Sequence, residues 1–246
     1  MPSQLVCRPE LDLPVAVLKV SGTLDLLTSD ALAQAVRNSL SNQPESLLLD
    51  IADLEISDPR GLAALSSVVG QTAQWPAVPI VLCGADEDTA RAVAASPDSA
   101  QLETAQSWVE ALADAGDEPE PRRIRVRLRP VPDACRQVRQ VVTQACAVWQ
   151  HRELTATAAL IATELVANVV RHAHTTMEFT LGLRDGRLCV TVRDGSRHLP
   201  QATDPGLADA GGRGLHLVRA LTDSWGVLPT TDGKVVWTRI GTRVAV

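Results

Sequence analysis

Residues 161–174 read IATELVANVVRHAH, the end of an apolar stretch that begins at Thr155. The stretch has the length and composition of one helix, and it is almost free of polar side chains until Glu164 and Asn168. A spacing of four puts these two on one helical face, with Leu160, Ile161, Leu165, Val166, Val169 and Val170 on the surrounding faces. A carboxylate and an amide beside such a stripe are costly unless they meet a ligand, a metal or each other. Taken alone, the pair is explained first as the partly exposed polar edge of an amphipathic helix.

The sequence downstream changes that weighing. Residues 190–196, VTVRDGS, are a strand running into an aspartate held in a turn, and residues 211–215, GGRGL, are glycines opening a helix. A glycine-rich helix entry offers backbone N–H groups and the positive end of the helix dipole to a phosphate. GGRG alone is often only a tight turn; helix, strand-to-turn and glycine-to-helix in this order carry more. Around them the pattern predicts a strand over 123–129, where RIRVRLR turns Ile124, Val126 and Leu128 inward and arginines outward. It also predicts a helix over 133–150 and two hairpins at Asp185-Gly186 and Asp232-Gly233.

TELVANVVRHA resembles the N box of GHKL ATPases and kinases; VRDGS and GGRGLHLV are similar to their two glycine boxes. The final SWGVLPTTDGKVVW resembles the last hairpin of bacterial anti-sigma-factor serine kinases in that superfamily. The resemblance implies a GHKL (Bergerat) α/β sandwich, with helices on one face of a mixed sheet and ATP between the helices and a mobile lid. By position, it implies Glu164 as the general base, Asn168 as the Mg²⁺ ligand and Asp194 as the partner of the adenine amino group. Arg171 or His172 falls where relatives place a cation near the phosphates, although for His172 a plain surface histidine serves equally well. Gly212, Arg213 and Gly214 match the lid. The usual Asp-x-Gly reads Asp194-Gly195-Ser196, and Ser196 can serve if its backbone need not take a positive φ.

Length and composition bound the rest. At 246 residues the chain accommodates two domains. No run of side chains approaches the roughly 18 apolar residues of a membrane span. The start, MPSQ, lacks the features of a secretion signal, so a cytoplasmic protein without membrane contact is expected. Five cysteines with no CxxC pair read as free thiols. One Phe and no Tyr argue against a stacking platform for nucleic acid. The net charge of −6 divides unevenly: 5 basic and 16 acidic residues through Ala115, then 18 and 13, giving −11 and +5. Such a division suits mutual docking of the halves, or a basic half that handles phosphates.

Strands at 15–20, 47–51 and 80–83 alternate with helices in the first half, the pattern of a sheet covered by helices. DAGDEPEP at 114–121 has two prolines and little apolar content, which places a linker at 115–121 between a domain 1–114 and a domain 122–246. VLKVSGTLDLLTSDAL and LLLDIADLEISDPRGLAAL resemble the STAS fold of anti-sigma-factor antagonists. In that family the loop before the helix reads Asp-Ser-Ser-Gly-Leu, and the serine before glycine accepts phosphate. Here it reads Asp58-Pro59-Arg60-Gly61-Leu62, with Arg60 at the acceptor position.

Together the resemblances imply an ATP- and Mg²⁺-dependent serine kinase and anti-sigma factor of a partner-switching system, with a sigma factor or a STAS antagonist as partner. The alternative is a nucleotide-gated binding protein without useful catalysis, its STAS half an interaction module. Two arrangements of the STAS half stay open: docking in cis as a partner that cannot be phosphorylated, or an independent domain on a flexible tether, its charge serving only solubility; the resemblance allows a homodimer.

Overall fold

The computed structural model describes residues 4–241 except 12–13, 57–58, 74–77, 96–102, 118–121, 185 and 200–212. The chain forms two compact units, Met1–Glu120 and Pro121–Val246, each with its own sheet.

In the first unit, strands β1 (Leu5–Leu11), β2 (Ala16–Leu24), β3 (Leu47–Ile56), β4 (Ile80–Cys83) and β5 (Glu103–Ala105) form one sheet in sequence order. β1 and β2 pair antiparallel, and all later neighbours pair parallel. The parallel crossovers are made by helices α1 (Ser29–Ser41), α2 (Pro59–Ala73) and α3 (Glu87–Ala94). Leu47, Leu48 and Leu49 are fully buried on successive positions of β3, as a strand covered on both faces requires. β2 runs past residue 20, where the sequence pattern ends the strand, and Gly22 takes a φ of +98° inside it. A Cβ there would strike the Gln4 carbonyl oxygen, so only glycine lets β1 close on β2 at this point. Helix α4 (Trp108–Asp117) continues through residues 115–117, which the sequence assigns to the linker. Arg60 is exposed in the first turn of α2; Ser57 and Asp58 lie outside the described residues.

In the second unit, β6 (Arg122–Leu128), β7 (Met177–Arg184), β8 (Arg187–Asp194), β9 (Ser224–Thr230) and β10 (Gly233–Ile240) assemble in the order β6-β7-β8-β10-β9. Every pairing is antiparallel, which corrects the mixed sheet that the GHKL resemblance implies. Helix α7 (Arg213–Leu221) carries the chain to the sheet edge. The returning strand of the last hairpin, β10, therefore meets β8, and it runs opposite to it.

Helices α5 (Asp133–Val148) and α6 (Thr155–Asn168) pack on one face of this sheet. Val138, Val142, Ile161 and Val166 meet Phe179 and Val190 in a core with 0% exposure. Each side chain so buried contributes about 1.5–3 kcal/mol. Counted with its flanking turns, the helix Arg152–Ala173 has 22 residues and a mean hydropathy of 1.4, long and apolar enough to cross a membrane by those measures. The sequence reading had no such span. Ile161, Leu165, Val166 and Val169 of this helix pack in the core against the sheet, while Leu160 is exposed.

The sequence predicts one regular helix over 155–174. The observed helix changes character after Asn168: Val169–Ala173 form a π-helical turn. The His174 N–H donates to the Val169 carbonyl at 2.9 Å, and His174 ends the turn in the left-handed region at φ 54°. Such single π turns recur at functional sites.

Candidate nucleotide site

Glu164 and Asn168 share the face of α6 that is left half-buried, while Leu165 and Val166 between them go to the core. Arg171, on the π turn, reaches back along the helix. Its Nε donates to the Ala167 carbonyl at 3.2 Å and its Nη2 to Asn168 Oδ1 at 3.3 Å. The same Nη2 stands 3.7 Å from Glu164 Oε2. A carboxylate, an amide oxygen and a guanidinium are thus gathered on one patch.

Helix α7 begins against this patch. A Cβ built on Gly214 would lie 2.6 Å from Glu164 Oε2 and 3.9 Å from Asn168 Oδ1, so the first turn of α7 approaches Glu164 as closely as it does because residue 214 has no side chain. The first N–H groups of a helix have no partner within it, and α7 starts beside Glu164. The start of α5 borders the patch too. Burial pushes the Cys135 thiol up from its ordinary pKa, while Arg139 and Arg171 draw it down and Glu164 raises it further.

A second cluster lies where β8 ends. Asp194 stands opposite Lys234 of β10 and opposite Met177 of β7. Lys234 Nζ donates to Asp194 Oδ1 at 2.8 Å and to the Ser196 carbonyl oxygen at 3.1 Å. The Ser196 N–H donates to the same Oδ1 at 2.8 Å, closing an Asx turn. Ser196 does not take a positive φ, so serine fits where the family pattern has glycine. The Gly195 N–H donates to Thr175 Oγ1 at 3.0 Å, which ties this turn to the segment just after the π turn. Asp194 Oδ2 is buried and has no hydrogen-bond partner. A buried carboxylate oxygen left unpaired costs folding free energy, and a ligand that donates to it removes that cost.

The expected site residues therefore separate into three groups. Glu164, Asn168, Arg171 and Gly214 come together, and Asp194 and Ser196 form the second cluster. His172 is exposed on the π turn. Arg213 opens α7, but its side chain lies outside the description, and Gly212 lies outside the described residues altogether. The sequence reading passed over Lys234 and Thr175. One signal pointed to Lys234: it is one of two lysines in a chain whose basic charge is otherwise arginine.

Among the described residues no three His, Cys, Asp or Glu are grouped to hold a metal ion. The residues present suit ATP with Mg²⁺: an unpartnered buried acceptor at Asp194 Oδ2, a cradle at Gly214 that a Cβ would fill, and an amide oxygen at Asn168. Mg²⁺ characteristically takes few protein ligands and completes its shell with phosphates and water.

The histidine kinase-like ATPase domain family matches residues 128–240, which covers both clusters. The anti-sigma-F factor antagonist RsfB of Mycobacterium tuberculosis is 33% identical over 84 residues, spanning 69% of that protein and 30% of this chain. Among solved structures, an anti-sigma factor antagonist from Mycobacterium paratuberculosis has 21% identity and a TM-score of 0.40, covering 48% of this chain and 98% of that one. The RsbU and RsbW domains of a Mycobacterium tuberculosis protein have 18% identity and a TM-score of 0.35, covering 48% of this chain and 31% of that one. The chain belongs to the anti-sigma factor antagonist (STAS) family through its first half, which is fused here to an ATP-binding domain of the histidine kinase-like ATPase class.

Proposed function

We propose that the chain is an ATP-dependent regulator of a sigma-factor partner-switching system, and that its C-terminal unit is a serine kinase for STAS-type antagonists supplied in trans. The observation that carries the reading is the patch on α6. Glu164 is half-buried against the entry of α7, with a guanidinium 3.7 Å from its carboxylate and the Asn168 amide oxygen on the same face. Phosphoryl transfer asks a protein mainly for positioning and charge. Glu164 takes the proton of the acceptor hydroxyl as its oxygen bonds to the γ-phosphorus. The bond from that phosphorus to the β-γ bridging oxygen breaks, leaving ADP and a phosphoserine. Asn168 would hold Mg²⁺, which supplies charge neutralisation on the phosphates, and Arg171 would add positive charge beside them. The acceptor is external because the chain's own STAS loop carries Arg60 at the acceptor position.

That same arginine favours a second reading, in which the chain binds its partners under nucleotide control and transfers nothing. Purified full-length protein incubated with γ-labelled ATP, Mg²⁺ and STAS proteins from a matching genome separates the two. Label on a partner serine supports the kinase. Tight ATP binding with no label on any partner gives the second reading.

A further inference from the structure

Lys234 neutralises Asp194 from the neighbouring strand. It opens β10 on the sheet face that packs against the helices, directly across from Asp194. The two side chains are 9% and 1% exposed. Taking both charges out of water is expensive, and their attraction offsets the cost fully only when their remaining hydrogen-bonding capacity is also met. Here it is not. An ammonium has three donors, and among the described residues Lys234 uses two, on Asp194 Oδ1 and the Ser196 carbonyl. Asp194 Oδ1 already accepts twice, while Oδ2 is buried without a partner. One donor and one acceptor are left over at a single rung of the ladder.

We propose that Asp194 and Lys234 read the base of the nucleotide as a pair, Asp194 Oδ2 accepting from the exocyclic amino group and the third Lys234 N–H donating to the neighbouring ring nitrogen, N1. The inference rests on the nucleotide-site reading above and adds a specificity residue to it. Adenine presents a donor beside an acceptor on that edge. Guanine and hypoxanthine present a carbonyl oxygen beside a protonated N1, the reverse order. A fixed acceptor–donor pair therefore selects adenine and leaves two unmet groups against the other purines, the situation in which binding sites discriminate best.

The chain offers an unusually clean test, because Lys19 and Lys234 are its only lysines. Full-length protein labelled with ¹⁵N-lysine gives two side-chain ammonium signals. Lys19, in an exposed ion pair with Asp53 in the first unit, serves as the internal reference. ATP is expected to move the Lys234 signal. 1-deaza-ATP, which keeps the amino group and replaces N1 by CH, is expected to leave it near its free position. By calorimetry 1-deaza-ATP should bind about 10–100-fold more weakly than ATP, the effect of losing a hydrogen bond to a charged group. In Lys234→Met, if it folds, the two nucleotides should bind alike. ATP that binds without moving the Lys234 signal overturns the proposal and leaves the nucleotide site standing, as does 1-deaza-ATP binding as tightly as ATP. Absence of ATP binding removes both.

Discussion

Gly214 and Glu164 meet where helix α7 begins: a single carbon added to Gly214 would stand 2.6 Å from the Glu164 carboxylate. Two residues fifty apart in sequence thereby fix the opening of α7 against the polar face of α6. The atom in the way is the free end of a flexible side chain, so a methyl group at 214 displaces Glu164 rather than the helix. Alanine also favours helix over glycine by about 1 kcal/mol. Gly214→Ala is therefore expected to melt within a few degrees of wild type while phosphoryl transfer falls at least about tenfold, the consequence of moving a group out of reacting geometry. Thermal melts alongside a labelled-ATP assay check this; a large loss of stability would show that the backbone, not Glu164, gives way.

Glu164→Ala separates chemistry from binding. A general base contributes about 10²–10⁴-fold in rate, and in the proposed reaction Glu164 takes a proton rather than holding the base or ribose. Transfer should fall by that factor with ATP affinity within about threefold of wild type. Comparable transfer by the two proteins would remove Glu164 from the role.

How much of this was legible beforehand differs from element to element. The run Leu47–Leu48–Leu49 and the alternation Ile124, Val126, Leu128 announce their strands, because burial on two faces or one writes directly into local pattern. β1, LVCRPEL, carries Arg8, Pro9 and Glu10 at a sheet edge and has no such pattern, and β5 is three residues long. The π turn was hidden because an i to i+5 bond leaves nearly the same apolar spacing as an α-helix over five residues. Of the candidate site, Glu164, Asn168 and Asp194 stood out as polar residues in apolar or strand-to-turn contexts, and the family resemblance supplied their expected roles. The pairing of Lys234 with Asp194 did not stand out: it depends on the register of strands forty residues apart, set by where the last hairpin enters the sheet.

That register has a stability consequence. Lys234→Met leaves the Asp194 carboxylate buried without its cation, and breaking a buried ion pair from one side costs about 3–5 kcal/mol. Asp194→Leu combined with Lys234→Met removes both charges and should cost less than the two single changes added together. Urea midpoints for the three variants decide it; additive costs would mean the two groups do not interact.

The cysteines give an independent check on the first unit. All five are free, and Cys83 is buried with its pKa pushed up to about 12 by desolvation, the Asp50 carboxylate adding to the rise. The thiolate is the reacting form, so at pH 8 about one Cys83 in ten thousand is reactive even before access is considered. Maleimide labelling followed by peptide mapping should find the half-buried Cys7 and Cys135 modified first and Cys83 only on denaturation. Early modification of Cys83 would mean that β4 is not where the sheet has it.

The account stands on nucleotide binding at Asp194, and titration calorimetry of Mg²⁺-ATP into wild type and Asp194→Asn tests it most directly. The amide keeps the shape of the carboxylate but has one acceptor oxygen in place of two. If that oxygen stays on Lys234, an NH₂ is turned toward the amino group that Oδ2 would have accepted. Wild type should bind Mg²⁺-ATP, and Asp194→Asn should bind it about 1–3 kcal/mol more weakly while still folded by circular dichroism. Equal affinity in the two proteins would contradict the account.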